Sequence, residues 1–250
     1  MCIDEAKRKR LTRKAHGKSW AIRREQYYGF TKYDKNLCNY ICQHVSKGTK
    51  LLEVAVGSGY PNADFLQKAG YVVYGIDIAP ELIDKCQKLN PYINCKVGDA
   101  EELEYSDDYF DATYCFHSTW YFPNLNKAVD EMLRVTRPGG IVLFDIQNLA
   151  NEMIAKEHRQ RLLERTGVRR VIKFARDIGA VILRRSVFNW HFLFHFVIHE
   201  TPTYPESIYQ HLKGIAKFQV MVRKEDESIE TRSELGSFED FGRLIFVIEK

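Results

Sequence analysis

Leu51-Leu52-Glu53-Val54-Ala55-Val56-Gly57-Ser58-Gly59 decides the fold, together with Tyr71-Val72-Val73-Tyr74-Gly75-Ile76-Asp77 beyond it. The first run reads as a buried strand entering a glycine-bearing loop. Glycine adds no Cβ and tolerates positive φ, so such a loop can press its backbone against a ligand. The second run reads as a parallel neighbour ending on Asp77, twenty residues after Gly57. A carboxylate at that point can accept hydrogen bonds from both hydroxyls of a ribose. The two runs together predict a cradle for an adenosine-type cofactor.

Working outward, strands are expected at Lys50–Val56, Val72–Asp77, Ile93–Val97, Phe110–Phe116 and Ile141–Asp145, with helices between them. The clearest helix places Leu125, Ala128, Val129, Met132 and Leu133 on one apolar face and stops at Arg137-Pro138-Gly139-Gly140. Strands alternating with helices imply a parallel sheet covered on both faces. The ligand then lies beyond the carboxyl ends of the strands, where Gly57, Asp77, Asp99 and the residues after Phe116 converge. A helical segment is expected from Trp20 to Val45, an insert over 151–215, and closing strands at Phe218–Arg223 and Leu244–Glu249. The whole reads as one domain of 250 residues with no linker or repeat.

These motifs resemble the class I S-adenosylmethionine-dependent methyltransferases, in the small-molecule group that includes ubiquinone and menaquinone methyltransferases. The resemblance is strong over about residues 48–147. The glycine motif E/D-x-G-x-G-x-G appears as Glu53 to Gly59 with Ala55 in place of its first glycine, and the RVLKPGG motif appears as Arg134 to Gly140. The resemblance implies an α/β Rossmann-like fold with seven strands, mostly parallel, with an antiparallel C-terminal strand. It implies S-adenosyl-L-methionine as cofactor, held by Glu53, Ala55, Gly57, Gly59, Asp77, Ile78, Asp99, Ala100 and Phe116. Of these, Asp77 is the ribose ligand, Asp99 and the Ala100 amide face the adenine, and the Phe116 carbonyl takes the amino group.

The sulfonium is already electrophilic, so such a protein mainly holds an acceptor in line with the S–CH₃ bond. An oxygen nucleophile benefits from a general base, for which His117 is the candidate. Trp120, Tyr121, Tyr28 and His195 are the candidate acceptor-lining residues, with Tyr27 and Tyr33 as further lid candidates. His191, His195 and His199 recur every four residues. On a strand, though, neighbours would stand roughly 13 Å apart, so no metal site is expected.

Composition narrows the classes further. No apolar run approaches the ~20 residues of a membrane span, and no secretory signal is visible. Six scattered cysteines fit reduced thiols in a cytoplasmic protein. Residues 1–24 hold nine Lys/Arg against Asp4 and Glu5, and 1–18 read as a poorly ordered basic tail. That tail makes a nucleic-acid (RNA) methyltransferase the alternative function, although CFHSTW after the fourth strand lacks the [DN]PP[YF] signature of base methylation. A nicotinamide oxidoreductase would need glycine at position 62, where Asn62 stands. A cofactor-binding protein without turnover is the non-enzymatic reading. Acceptor identity and oligomeric state are not encoded in any motif.

Overall fold

A computed structural model describes residues 4–16, 29–164, 201–232 and 238–250. Five strands form the parallel half of one sheet: β1 (Lys50–Val54), β2 (Val72–Asp77), β3 (Asn94–Val97), β4 (Phe110–Cys115) and β5 (Thr136–Gln147). Three more, β6 (Lys217–Arg223), β7 (Ile229–Arg232) and β8 (Arg243–Glu249), extend it to the order β3-β2-β1-β4-β5-β8-β6-β7. β8 runs antiparallel to both β5 and β6, and β7 runs antiparallel to β6. Among the described residues the sheet therefore has eight strands, where seven were expected. The added strand, Ile-Glu-Thr-Arg, is short and polar, so it carries no apolar alternation by which to recognise it.

Successive residues of each strand feed opposite faces, as the period of two requires. Leu52, Val54, Phe144 and Phe246 pack beneath α5 (Leu125–Val135) and α7 (Pro205–Leu212). Leu51, Val73, Leu143 and Ile245 pack beneath α2 (Lys32–His44), α3 (Asn62–Lys68) and α4 (Pro80–Leu89). α6 (Glu152–Glu164) follows β5.

One helical expectation is corrected. Residues 1–18 were expected to be poorly ordered, yet Glu5–His16 form α1, whose basic side chains find partners across the carboxyl end of the sheet. Of the helix expected from Trp20 to Val45, residues 20–28 lie outside the described residues, and α2 begins at Lys32. Thr31 caps it through a reciprocal box in which its hydroxyl accepts from the Asp34 amide while the Asp34 carboxylate accepts from the Thr31 amide.

The Arg137–Gly140 turn is spliced into a strand. Phe110 pairs with Thr136 and Ala112 with Ile141, so four residues bulge out opposite Asp111 alone. Gly140 is obligatory here, since a Cβ would lie 2.5 Å from the Asp111 carbonyl oxygen. Arg134, one turn earlier, donates to the Leu103 and Tyr105 carbonyls and pairs with Asp107 and Glu131. This half of the RVLKPGG-like motif holds the loop after β3 and lines neither of the cavities at the carboxyl end of the sheet. Arg134→Lys cannot reproduce the forked contacts. We expect it to lower unfolding free energy by about 1–2 kcal/mol in urea titration; an unchanged midpoint would contradict the clamp.

Candidate active site

Two cavities open at the carboxyl end of the sheet and meet at Ala55, Gly57 and Ser118. The larger, about 670 Å³, runs past Asp77, Ile78, Asp99 and Ala100 and is walled by Lys9, Thr12 and His16 of α1. The smaller, about 440 Å³, is bordered by Glu53, Tyr60, Asn62, Phe116 and His117.

The larger cavity is built around one buried carboxylate. Asp77 ends β2 and accepts the Gly57 amide at 3.0 Å on one oxygen and the Ala79 amide at 2.9 Å on the other. It thus ties the loop after β1 to the end of β2, while each oxygen keeps acceptor capacity for a ligand hydroxyl. Burial raises its pKa from 3.8 to about 6, against the pull of those amide donors. Asp99 accepts the Glu101 amide and pairs with Lys9 at 2.7 Å.

Lys9 also reaches the buried Glu101 at 2.7 Å, and Arg13 donates to the Ile78 carbonyl at 2.8 Å. Arg8 donates to Thr201. Three residues of the basic segment are therefore engaged with the protein's own oxygens, a placement that does not favour the phosphate-binding tail of the RNA alternative. His16 packs edge-on against Tyr121, and burial lowers its pKa to about 4, so it is neutral at physiological pH.

The loop itself departs from the glycine pattern at a costly place. Ala55 adopts φ 63°, the left-handed region in which a Cβ is crowded. Ala55→Gly removes about 1–2 kcal/mol of crowding and returns part of it as chain entropy. A thermal midpoint raised by a few degrees is expected in a melting experiment, and a lowered one would contradict this. Gly59 packs towards α4. It lines neither cavity; at φ 83° a Cβ there would lie 2.9 Å from Cys86 Sγ, so the residue lets the loop pack on α4.

In the smaller cavity Glu53 accepts from the Tyr114 hydroxyl at 3.1 Å and from the Asn62 amide at 3.5 Å. Phe116 closes one side, 4% exposed. His117 also takes a left-handed backbone, φ 59°, and its amide donates to Asp145 Oδ1 at 2.7 Å. Its Nε2 lies 2.7 Å from Oδ1 of the fully buried Asp34, and its Nδ1 lies 3.8 Å from Asp145 Oδ2. Asp145 is further held by Arg243 at 2.9 Å and the Tyr33 hydroxyl at 3.3 Å.

The aromatic candidates divide. Tyr121 faces the larger cavity. Trp120 lines neither; it is 5% exposed with Arg243 stacked 4.1 Å over its ring. Tyr33 is buried beside His117, its ring edge-on at 5.5 Å. Tyr27, Tyr28, His191, His195 and His199 lie outside the described residues. Lys9, Glu101, Asp34 and Asp145 are functional-site neighbours that sequence reading missed. Asp145 alone carried a signal, as the last residue of an expected strand.

Residues 52–144 match the family model described as a methyltransferase domain. Over these residues the chain is similar to the class I S-adenosylmethionine-dependent methyltransferases. Methyltransferase GfsG of Streptomyces halstedii is 32% identical over 109 residues, 41% of this chain and 39% of that protein. A demethylmenaquinone methyltransferase of Paenarthrobacter aurescens is 33% identical over 38% of each chain. The matches thus span less than half of these relatives. Over nearly the whole chain the fold also matches a methyltransferase of Thermotoga maritima, with a TM-score of 0.58 at 12% identity, covering 94% of this chain and 99% of that one. A TehB-like methyltransferase of Corynebacterium glutamicum gives 0.59 at 16% identity, covering 95% and 99%.

The methyltransferase domain's cofactor is S-adenosylmethionine, and the donor set fits it. A buried carboxylate stands where two ribose hydroxyls need acceptors. Asp99 with the Ala100 backbone stands one strand further along, and an acidic, amide-lined cavity continues past the loop for a cationic amino acid moiety. Among the described residues no helix is long and apolar enough to cross a membrane.

Proposed function

We propose that the chain transfers the methyl group of S-adenosylmethionine to a small-molecule acceptor at an oxygen, nitrogen or carbon nucleophile. One observation carries this reading: the larger cavity, built around the buried Asp77, joins the smaller one at the glycine loop, and His117 borders the smaller. When bound, S-adenosylmethionine supplies a methyl group on a positively charged sulfur, already activated for displacement.

The chain's own residues then bind, orient and exclude water. Asp77 takes the ribose hydroxyls, and Asp99 with Ala100 the adenine. Ile78 and Ala55 provide wall, and Gly57 is kept in place by Asp77. Glu53 and the Phe116 carbonyl face the amino acid moiety. α1 lies along the larger cavity and limits the entry of water. His117 stands on the acceptor side, where it can remove a proton from an oxygen or nitrogen nucleophile. Holding the acceptor in line supplies most of the acceleration, since the leaving thioether needs no help.

The test is incubation of the protein with methyl-labelled S-adenosylmethionine and panels of small phenols, amines and acids, in parallel with total RNA. Label in a small-molecule product is expected. Label retained on RNA alone, or on nothing across the panels, would overturn the small-molecule reading.

A further inference from the structure

The environment of His117 assigns a role to a residue from a distant part of the chain. Asp34, 83 positions earlier, has no access to solvent, and its Oδ1 lies 2.7 Å from His117 Nε2. Its other oxygen is fully committed. Oδ2 accepts the Thr31 amide at 3.0 Å and the Thr31 hydroxyl at 2.8 Å, the two bonds that start α2. The carboxylate cannot rotate without breaking the helix cap.

An ionised carboxylate offers only acceptors, so the short contact requires the proton to sit on Nε2. In the neutral ring Nδ1 is then the unprotonated nitrogen. Its nearest described charged neighbour, Asp145 Oδ2 at 3.8 Å, is beyond hydrogen-bond distance, and that oxygen is already engaged by Arg243 and Tyr33. The backbone of His117 is fixed too, by its amide bond to Asp145 Oδ1.

We propose that Asp34 is a positioning residue that holds His117 as the Nε2–H tautomer, so that Nδ1 is the basic atom offered to the acceptor. This rests on the methyl-transfer reading above. In the step, the acceptor's lone pair forms the bond to the methyl carbon, the C–S electrons return to sulfur, and the acceptor's proton passes to Nδ1. The imidazolium so formed lies between Asp34 and Asp145.

The helix cap makes one substitution unusually informative. In Asp34→Asn the two Thr31 donors keep the amide oxygen at the Oδ2 position, which turns the NH₂ group towards Nε2. His117 must then accept at Nε2 and carry its proton on Nδ1.

The experiment is a long-range ¹H–¹⁵N correlation spectrum of the imidazoles of the full chain near neutral pH, with His117 assigned from its absence in His117→Asn. The wild type is expected as the Nε2–H tautomer and Asp34→Asn as the Nδ1–H tautomer. A wild-type ring found as the Nδ1–H tautomer or as imidazolium would overturn the proposal, as would an unchanged tautomer in Asp34→Asn. If that variant fails to fold, the wild-type spectrum decides alone. Titration of both proteins with S-adenosylhomocysteine separates the failures. Wild-type binding with the wrong tautomer sinks only the Asp34 role, whereas absent wild-type binding sinks the methyl-transfer reading.

Discussion

Asp77→Ala should weaken S-adenosylhomocysteine binding by about 1.5–3 kcal/mol, the scale of lost hydrogen bonds to a charged group, or roughly 10- to 100-fold. Two losses combine. The ribose hydroxyls lose their acceptor, and the Gly57 and Ala79 amides lose the carboxylate that holds them. The same residue imposes a pH dependence. Its folded-state pKa is raised from 3.8 to about 6, so the unfolded chain releases this proton first. Between about pH 4 and pH 6 the unfolded state binds fewer protons, and the Asp77 contribution to stability falls as pH rises. Ligand affinity runs the other way, dropping below about pH 6 as the carboxyl becomes protonated and loses acceptor capacity. Calorimetry at pH 5 and pH 7.5 checks both halves. Equal affinities at the two values, or an unchanged isotherm in a folded Asp77→Ala, would remove Asp77 from the site.

The second large effect is expected at His117. Asparagine is the informative replacement because it tolerates the left-handed backbone at φ 59° while removing the base. For an acceptor that must lose a proton, His117→Asn should slow turnover by about 10²- to 10⁴-fold. Affinity for S-adenosylhomocysteine should stay within about threefold of wild type. Turnover within threefold of wild type on such an acceptor would show that His117 is not the base. For a neutral amine acceptor the same substitution should cost little, so the ratio of the two losses reports the nucleophile class.

The parallel half of the sheet and the cofactor crevice were legible because both follow from short-range rules. Short apolar runs specify β1, β2, β4 and β5, and ligands lie where such strands end, which is how Asp77, Asp99 and His117 stood out. What escaped was set by contacts distant in sequence. α1 owes its place to Lys9 meeting Asp99 and Glu101 some ninety residues on, and no local pattern announces such a pairing. Asp34 fell inside the helix expected from Trp20, and only the fold shows one of its oxygens capping α2 and the other on His117. At Gly59 the motif position suggested a ligand, and the fold adds a packing constraint, since a Cβ there would meet Cys86 of α4. Trp120 stands beside the site in sequence but lies beneath Arg243, which arrives from β8.

The central claim is that the crevice bounded by Asp77 and Asp99 holds the adenosyl half of S-adenosylmethionine. Calorimetric titration of the purified protein with S-adenosylhomocysteine, run beside NAD(H), tests it most directly. One-site binding in the micromolar range by S-adenosylhomocysteine alone is the predicted result. Binding of NAD(H) with no response to S-adenosylhomocysteine would contradict it.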